Sequence, residues 1–282
     1  MTQLAEIEAH IGSMAELLDV VGAMRSLAGM RRQEAQRALP GIRRYAEVMA
    51  AAIGDALLLA PPGLDGTSTD HGRQALVLFL AEHGFVGGFN ERLIEAARQS
   101  LKPRDVLLVV GSRGAAQAAE RGLLPGWTST APTRTPAAID TIRRLTAELY
   151  RRMARGEIER IETVYAAVQR TGAPTIERRR VLPVDTKPLR HSRTPPSPLH
   201  NLRPTVLVET LISEYVFALL TEAAVESIAT ENAARFSTMD AAHENVGKKL
   251  DELRQNARQA RQAEITSELL DLVAGADAQV PV

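Results

Sequence analysis

Glycine-rich turns are the residues of this sequence whose spacing comes closest to a known binding chemistry. Gly84, Gly87 and Gly88 follow one short apolar segment, and Gly111 and Gly114 follow another. Backbone N–H groups in such turns can hold phosphate, but neither set has the G-x-G-x-x-G spacing. The G-x-x-x-x-G-K-[ST] pattern does not occur either. We therefore interpret these glycines as tight turns between strand and helix, and expect no nucleotide cofactor.

Catalytic and metal-binding side chains do not form a recognisable set. No two histidines have the i, i+4 spacing that places two metal ligands on one helix face. Ser112 and Ser129 lack the sequence of a nucleophile elbow. The chain has no cysteine, which excludes a thiolate nucleophile, a cysteine metal site and a disulfide framework. The sequence thus predicts no catalytic, cofactor or metal site. The six histidines are His10, His71, His83, His191, His200 and His243.

The composition points to long helices rather than to a nucleic-acid-binding protein. The 34 basic residues balance 34 acidic ones, at a pI of about 7.1, which argues against binding to nucleic acid. Hydrophobic residues make up 45% of the chain but aromatic residues only 4%, a bias typical of helices packed side by side. The most apolar stretch, 48–60, is interrupted by Asp55 and is too short to cross a bilayer. We therefore expect a peripheral membrane role at most.

A heptad repeat predicts a long helix at the amino terminus. Large apolar residues recur at alternating intervals of three and four, and the seam then continues with small or cationic residues. Pro40 is expected to interrupt this helix, which resumes at Tyr45 and ends at Pro61. The seam positions are Leu4, Ile7, Ile11, Met14, Leu18 and Val21, followed by Arg25, Ala28, Arg32 and Ala35.

A second long helix is predicted near the carboxyl terminus. Residues 206–273 contain no proline and a single glycine. At ~1.5 Å per residue this helix would be roughly 100 Å long, and it is stable only if its apolar seam is covered. We predict that it pairs antiparallel with the amino-terminal helix, with His243 as a packed or partly solvated polar seam residue. Its seam positions are Met239, His243, Val246, Leu250, Leu253, Ala257 and Ala260.

The middle of the chain is predicted to be an α/β domain. Apolar runs at 75–80 and 105–110 are each followed by a glycine turn and a helix, which favours a partly parallel, Rossmann-like sheet. The predicted fold class is therefore α/β with a long antiparallel coiled coil. Further strands are expected at 158–168 and 175–182, with helices over 91–100, 111–121 and 136–155. The predicted domains are an N-terminal helix (1–60), the α/β domain (70–185), a proline-rich loop (186–204) and a C-terminal helix (205–276).

Arginines recur along both predicted terminal helices. A solvated helix face explains their spacing, since some have acidic neighbours. Docking against acidic partners is the alternative, because the planar guanidinium fork pairs well with carboxylates. These arginines are Arg25, Arg31, Arg32 and Arg37 on the first helix, and Arg235, Arg254, Arg258 and Arg261 on the last.

Several motifs resemble the gamma subunit of F-type ATP synthases. The C-terminal helix carries E-N-A-A-R at 231–235, M-D-A-A at 239–242 and A-R-Q-A at 260–263. The amino-terminal helix carries A-M-R at 23–25, and the family's G-x-x-G-G-x-N turn occurs as G-F-V-G-G-F-N at 84–90. The resemblance covers the whole chain in the order helix, α/β domain, helix.

This resemblance implies a non-catalytic rotor, the central stalk of a membrane rotary ATP synthase. In that family the terminal helices form a shaft inside a ring of alternating alpha and beta subunits, and the α/β domain rests on the membrane c-ring beside the epsilon subunit. Rotation couples ion flow through the membrane sector to ATP synthesis or hydrolysis, and no nucleotide binds to the shaft subunit. The implied location is peripheral, on the cytoplasmic face of the bacterial cell membrane.

The resemblance also assigns partner contacts to individual residues. It implies that Arg235 and Gln262 contact beta-subunit loops, and that Thr266 and Glu268 lie where the shaft tip is seated. It further implies that Met24 and Arg25 face an acidic lever of the beta subunit.

Two stretches depart from the family's pattern. L-A-E-H-G-F-V at 80–86 replaces the usual S-D-R-G-L-C, and M-A-E-L-L-D at 14–19 replaces a lysine-rich segment. They suggest a divergent or alternative bacterial branch. Two other interpretations stay open: an α/β nucleotide- or cofactor-binding enzyme with helical dimerisation arms, and a static coiled-coil adaptor.

Overall fold

The computed structural model of the chain describes residues 2–59, 72–168, 174–185 and 200–277. The described residues form two compact units: a helix-pair unit, within residues 1–27 and 236–282, and a sheet unit, within residues 28–235. Each predicted terminal helix contributes to both units. The elements are α1 (Thr2–Leu57), β1 (Gln74–Phe79), α2 (Phe89–Ser100), β2 (Val106–Val110), α3 (Ser112–Glu120), β3 (Trp127–Ser129), a 3₁₀ helix (Thr135–Ala137), α4 (Ala138–Ala154), β4 (Arg160–Ala167), β5 (Thr175–Leu182) and α5 (Pro204–Asp277).

The five strands form one mixed sheet in the order β3-β2-β1-β4-β5. Strands β1, β2, β3 and β4 run parallel to one another, and the edge strand β5 pairs antiparallel with β4. The predicted α/β fold with two long terminal helices is confirmed. The edge strand β3 was not predicted, because three residues are too few to show a periodic pattern. Residues 186–199, most of the predicted proline-rich loop, lie outside the described residues.

Strand β1 lies at the centre of the sheet and is buried on both faces. Ala75, Val77 and Phe79 join an apolar core that includes residues of α1, α4 and α5. Leu76 and Leu78 join a second core with residues of α2 and α3. Successive side chains of a strand alternate between faces, so this division places helices on both sides of the sheet.

The predicted break at Pro40 is wrong, because α1 continues through this residue to Leu57. Pro40 is exposed, so water can reach the carbonyl group that loses its helical partner. Leu39 and Ile53 are buried in the sheet unit. Burial of such side chains contributes about 1.5–3 kcal/mol each, enough to offset the ~3 kcal/mol that an interior proline costs a helix.

The helix-pair unit has the seam that the heptad repeat predicts. Every predicted seam position from Leu4 to Val21 is buried or half-buried, while most of the positions between them are exposed. On α5, Met239 and Leu250 are buried. A Cβ atom added to Gly22 would lie 3.6 Å from the His243 ring, so this histidine is a packed seam residue, as predicted.

Replacing Gly12 by alanine is expected to stabilise the helix-pair unit. Gly12 lies inside α1, and an added Cβ atom would meet no atom within 4 Å. Alanine in an exposed helix interior is favoured over glycine by about 1 kcal/mol, so the thermal midpoint followed by far-UV circular dichroism should rise. Gly247→Ala, at a similarly open position of α5, should behave alike. A lower midpoint for both variants would contradict this description of the helices.

All four tyrosines of the chain have pKa values above the ordinary value. Burial is the main cause, and it raises the pKa of Tyr150 and of Tyr165 to about 12. The Glu214 carboxylate raises the pKa of Tyr150 further in the same direction. Burial also raises the pKa of Tyr45 and of Tyr215.

Tyrosinate absorbance of the folded chain should therefore appear at higher pH than that of the denatured chain. The unfolded chain ionises first, near pH ~10, so the stability due to neutral tyrosines is complete below about that pH. It is lost as the pH rises through about 12, where Tyr150 and Tyr165 ionise in the fold. Spectrophotometric titration with and without denaturant tests this prediction. Coincident midpoints would show that these side chains are not buried.

Candidate functional site

The helix-pair unit is held across its seam by exposed ion pairs. Arg25 Nη1 donates to Asp240 Oδ1 at 2.9 Å, and Arg261 Nη2 donates to Glu8 Oε1 at 2.6 Å. The later residue of α1, Arg25, pairs with the earlier residue of α5, Asp240, and Glu8 pairs with Arg261. The two segments are therefore antiparallel, as predicted. These side chains are 35–63% exposed, and such pairs contribute at most about 1 kcal/mol. They can therefore break and re-form readily in water.

The carboxyl-terminal residues that were predicted to contact a partner lie together on the surface. Gln262, Thr266 and Glu268 are all exposed on α5. Thr266 Oγ1 donates to the backbone oxygen of Gln262 at 2.8 Å, which ties its hydroxyl to the helix. Large apolar side chains surround them on the same stretch of helix. These are Ile265, Leu269 and Leu270, which are 51%, 57% and 65% exposed.

The predicted amino-terminal contact residues lie at a different level of the helix pair. Met24 and Arg25 are both half-buried, and Arg25 is engaged with Asp240. At ~1.5 Å per residue, Asp240 and Gln262 are roughly 33 Å apart along α5. The structure therefore divides the predicted contact residues of this unit into two separate levels.

The glycine turn after β1 is fixed by a buried asparagine. Asn90 Oδ1 accepts a hydrogen bond from the Ala81 N–H at 2.9 Å, and its Nδ2 donates to Gln117 Oε1 at 2.6 Å. Phe85 has a φ of 60° and is 63% exposed. A non-glycine residue with positive φ is held by its surroundings, so the turn presents this ring to solvent at a local cost in strain.

Arg235 holds the same turn from α5, within the sheet unit. Its guanidinium donates to the backbone oxygens of His83 and Gly84 at 3.4 and 3.3 Å. It also donates to Glu231 Oε1 at 2.6 Å and to Asn232 Oδ1 at 3.2 Å. Arg235 is only 7% exposed. The guanidinium therefore links α5 to the turn inside the sheet unit.

Glu231 is as buried as the arginine that it faces. Burial raises the pKa of Glu231 above its ordinary value, although the Arg235 guanidinium acts in the opposite direction. Two charges that are both taken out of water depend strongly on each other, because removal of either leaves the other without compensation. The predicted contact of Arg235 with a neighbouring subunit stays a prediction, and only a small part of its surface is available for it.

A carboxylate of the chain itself occupies the amino terminus of α3. Glu82 Oε2 accepts hydrogen bonds from the backbone N–H of Ser112 at 2.9 Å and of Ala131 at 2.7 Å. Burial alone would raise the pKa of Glu82, but these N–H groups outweigh it and lower the pKa. The amino terminus of a helix attracts anions because its first N–H groups have no partner within the helix. Here Glu82 takes that place.

The glycines after β2 are required by close packing. Gly111 has a φ of 127°, and an added Cβ atom would lie 2.3 Å from the backbone oxygen of Leu80. A Cβ atom on Gly114 would lie 2.1 Å from the Leu80 side chain. Gly111 thus forms the predicted tight strand-to-helix turn, whereas Gly114 lies inside α3 and allows this helix to approach Leu80.

The described residues contain no group of three or more histidine, aspartate or glutamate side chains placed to hold a metal ion. None of the helices in the described ranges combines the length and the hydropathy needed to cross a membrane.

Comparison with known proteins shows the family of the chain. A family model described as ATP synthase matches residues 3–279. The ATP synthase gamma chain of Paracoccus denitrificans is 27% identical over 294 residues, covering 99% of this chain and 100% of the relative. The ATP synthase gamma chain of Moorella thermoacetica is 25% identical over 287 residues and covers 99% of both chains. The chain belongs to the ATP synthase gamma-chain family. This family forms the central stalk of the rotary F-type ATP synthase.

Solved structures share the fold of this gamma-chain family member. A chain of the mitochondrial ATP synthase of Euglena gracilis, from a structure of OSCP, F1 and c-ring, has a TM-score of 0.67 at 12% identity. The match covers 100% of this chain and 97% of that one. A chain from the central stalk and c-ring of the Tetrahymena thermophila mitochondrial enzyme has a TM-score of 0.57 at 15% identity, covering 79% and 99%.

Sequence reasoning missed the internal partners of the turn in this gamma-chain family member. Glu231 and Arg235 stand four residues apart on a helix, and this spacing could have predicted their pairing. Asn90 closes the G-x-x-G-G-x-N motif, but nothing local indicates that its amide would reach Gln117. Glu82 belongs to the stretch that departs from the family pattern, so its contact with α3 could not be read from the motif.

Proposed function

We propose that this chain is the rotating, non-catalytic shaft subunit of an F-type ATP synthase, with alpha and beta subunits around its helix pair. The c-ring and the epsilon subunit are its proposed partners at the sheet unit. Rotation of the chain couples ion flow in the membrane sector to ATP synthesis or hydrolysis in the ring. The proposed location is peripheral, on the cytoplasmic face of a bacterial membrane.

The antiparallel pairing of the terminal segments is the observation that carries this proposal. Glu8 pairs with Arg261 and Arg25 pairs with Asp240, so the two helices contact each other at two levels. A pair of helices with a continuous seam resists twisting better than one helix, which a shaft that transmits torque requires. The cross-pairs are exposed and weak, so they suit a surface that must slide past a succession of partners.

The surface at the carboxyl-terminal contact residues supports insertion into a protein sleeve. Ile265, Leu269 and Leu270 expose large apolar side chains beside Thr266 and Glu268. Contiguous exposed apolar side chains usually mark a protein contact. We propose that this surface seats the shaft tip in the alpha–beta ring, with Gln262 at a beta-subunit loop and Met24 and Arg25 facing a beta-subunit lever.

A non-catalytic role agrees with the chemistry of the sheet unit. The N–H groups at the amino terminus of α3 could bind an anion, but here Glu82 accepts the N–H group of Ser112. A phosphate at this place would meet a carboxylate of its own charge. The nucleotide-binding alternative therefore lacks support from this helix terminus.

Reconstitution with separately purified alpha and beta subunits tests the proposal. We expect the full chain to form a stable complex with both subunits and to hydrolyse no ATP alone. Gln262→Ala should lower the ATPase rate of the complex without lowering the unfolding free energy of the chain, because its exposed side chain is free to contact a partner. Glu120→Ala, an exposed change on α3, is the matched control and should leave the rate unchanged.

Two results would contradict the proposal. ATP binding to the isolated full chain in calorimetric titration would favour the nucleotide-binding alternative. Complex formation with an ATPase rate indifferent to Gln262→Ala and to Thr266→Ala would favour the static adaptor.

A further inference from the structure

A cationic cleft lies in the sheet unit, at the amino-terminal edge of the parallel strands. Its volume is about 750 Å³, and four of its seven lining residues are cationic. The only acidic residue among the seven is Asp105. The cations are Arg73, Lys102, Arg104 and Arg160.

The sheet topology brings these residues together from distant parts of the chain. Arg73 directly precedes β1, Asp105 directly precedes β2, and Arg160 is the first residue of β4. The register pairs Gln74 with Arg160 and Ala75 with Val106, so the three strands start at one edge. The cleft is therefore a product of the parallel pairing, and no local sequence motif indicates it.

The acidic residue of the cleft is engaged by backbone groups. Asp105 Oδ1 accepts the N–H of Gln74 at 3.2 Å, and its Oδ2 accepts the N–H of Lys102 at 2.9 Å. Arg73 Nε donates to the backbone oxygen of Arg104, which fixes this guanidinium at the rim. Arg73, Lys102 and Arg104 are all exposed.

One further carboxylate lies near the rim. Glu159 packs against Gly72, since a Cβ atom added to this glycine would lie 2.2 Å from Glu159 Oε2. The three exposed cations, Arg73, Lys102 and Arg104, still outnumber the two carboxylates of Asp105 and Glu159. The cleft therefore favours an anionic ligand.

We propose that this cleft binds an acidic segment of a neighbouring protein chain. A volume of about 750 Å³ leaves room for several side chains of a partner segment. Its concave form fits a protruding loop better than a flat lipid surface. Arginine side chains bind carboxylates in a bidentate manner, and two arginines and a lysine are exposed here.

This surface is separate from the turn that Arg235 holds. The turn follows β1 at the carboxyl-terminal edge of the parallel strands, whereas Arg73 precedes β1 at the opposite edge. A partner in the cleft therefore meets the sheet unit at a place where none of the predicted contact residues lies. The cleft can bind an acidic segment in a rotating or in a static subunit, so this binding does not depend on the proposed rotor function.

Binding of a fluorescent decaglutamate peptide to the full chain, followed by anisotropy at low salt, tests the proposal. The variant R73Q/K102Q/R104Q should weaken binding about tenfold or more, as expected for the loss of three exposed ion pairs. K102Q/R104Q, which keeps the Arg73 contact, should show a smaller loss. R92Q/R134Q/R144Q removes three exposed arginines on other segments and should bind like the unchanged chain. Raising the salt concentration should weaken binding to the unchanged chain most.

Three outcomes would overturn the proposal. The first is equal binding of decaglutamate to the unchanged chain and both triple variants. The second is binding of phosphatidylglycerol vesicles, but not of decaglutamate, that depends on Arg73, Lys102 and Arg104. The third is decaglutamate binding that is more than about tenfold tighter in the variant D65N/D70N than in the unchanged chain. The chain's own acidic residues would then be the occupants of the cleft. The fluorescence of the single tryptophan, Trp127, shows whether each variant stays folded. In every case the alpha–beta reconstitution still tests the rotor function independently.

Discussion

Replacing Arg235 by alanine is expected to lower the free energy of unfolding of the chain by about 3 kcal/mol or more. The variant leaves the buried Glu231 carboxylate without its cation and frees the backbone oxygens of His83 and Gly84. Removal of one partner of a buried ion pair typically costs about 3–5 kcal/mol. Urea unfolding followed by Trp127 fluorescence measures the loss in the sheet unit.

Two variants serve as controls for this loss. Arg261→Ala breaks an exposed pair with Glu8 and should cost less than about 1 kcal/mol, measured by far-UV circular dichroism because this pair lies in the helix-pair unit. The double change E231M/R235M removes both charges and should recover part of the lost stability. Unchanged unfolding of Arg235→Ala, with a slower ATPase in the assembled complex, would show that Arg235 acts mainly on a partner.

Replacing Gly111 by alanine is expected to destabilise the sheet unit by about 4 kcal/mol. Gly111 has a φ of 127°, and its Cβ atom would lie 2.3 Å from the backbone oxygen of Leu80. Strain at such a backbone conformation costs of order 1–3 kcal/mol, and overpacking a buried position adds typically 1–3 kcal/mol. The backbone at Leu80, directly after β1, would have to move to make room, because a carbonyl oxygen cannot rotate away as a side chain can.

Gly122→Ala separates the two causes of this loss. Gly122 also has a positive φ, of 82°, but an added Cβ atom would meet no atom within 4 Å. It should therefore cost only the backbone strain, about 1–2 kcal/mol. Equal losses for Gly111→Ala and Gly122→Ala in urea unfolding would contradict the close approach of Gly111 to Leu80.

The long helices could be predicted from sequence because their signal is periodic and local. The heptad seam from Leu4 to Val21 is buried or half-buried throughout, and the strands around Val77 and Leu108 lie where their apolar runs indicate. The predicted break at Pro40 was wrong because a local rule cannot weigh the burial of Leu39 and Ile53 in the sheet unit. Tertiary packing decides such cases.

The site residues were harder to predict, since their roles depend on contacts between distant segments. Arg235 reaches Gly84, 151 residues away, and Glu82 reaches Ala131, 49 residues away. No spacing along the sequence contains these pairs. The cleft at Arg73 and Arg160 likewise exists only because β1 and β4 are parallel neighbours. Sequence patterns therefore predicted the elements and the family, and the fold supplied the contacts.

Rotation of this chain within an alpha–beta ring is the central claim, and direct observation of single molecules tests it. The chain has no cysteine, so Ala116→Cys, on the exposed side of α3, provides a unique attachment point for a visible probe. With the ring fixed to a surface and ATP present, we predict continuous rotation of the probe in one direction that stops when ATP is removed. ATP hydrolysis by the complex with only random probe motion would contradict the claim.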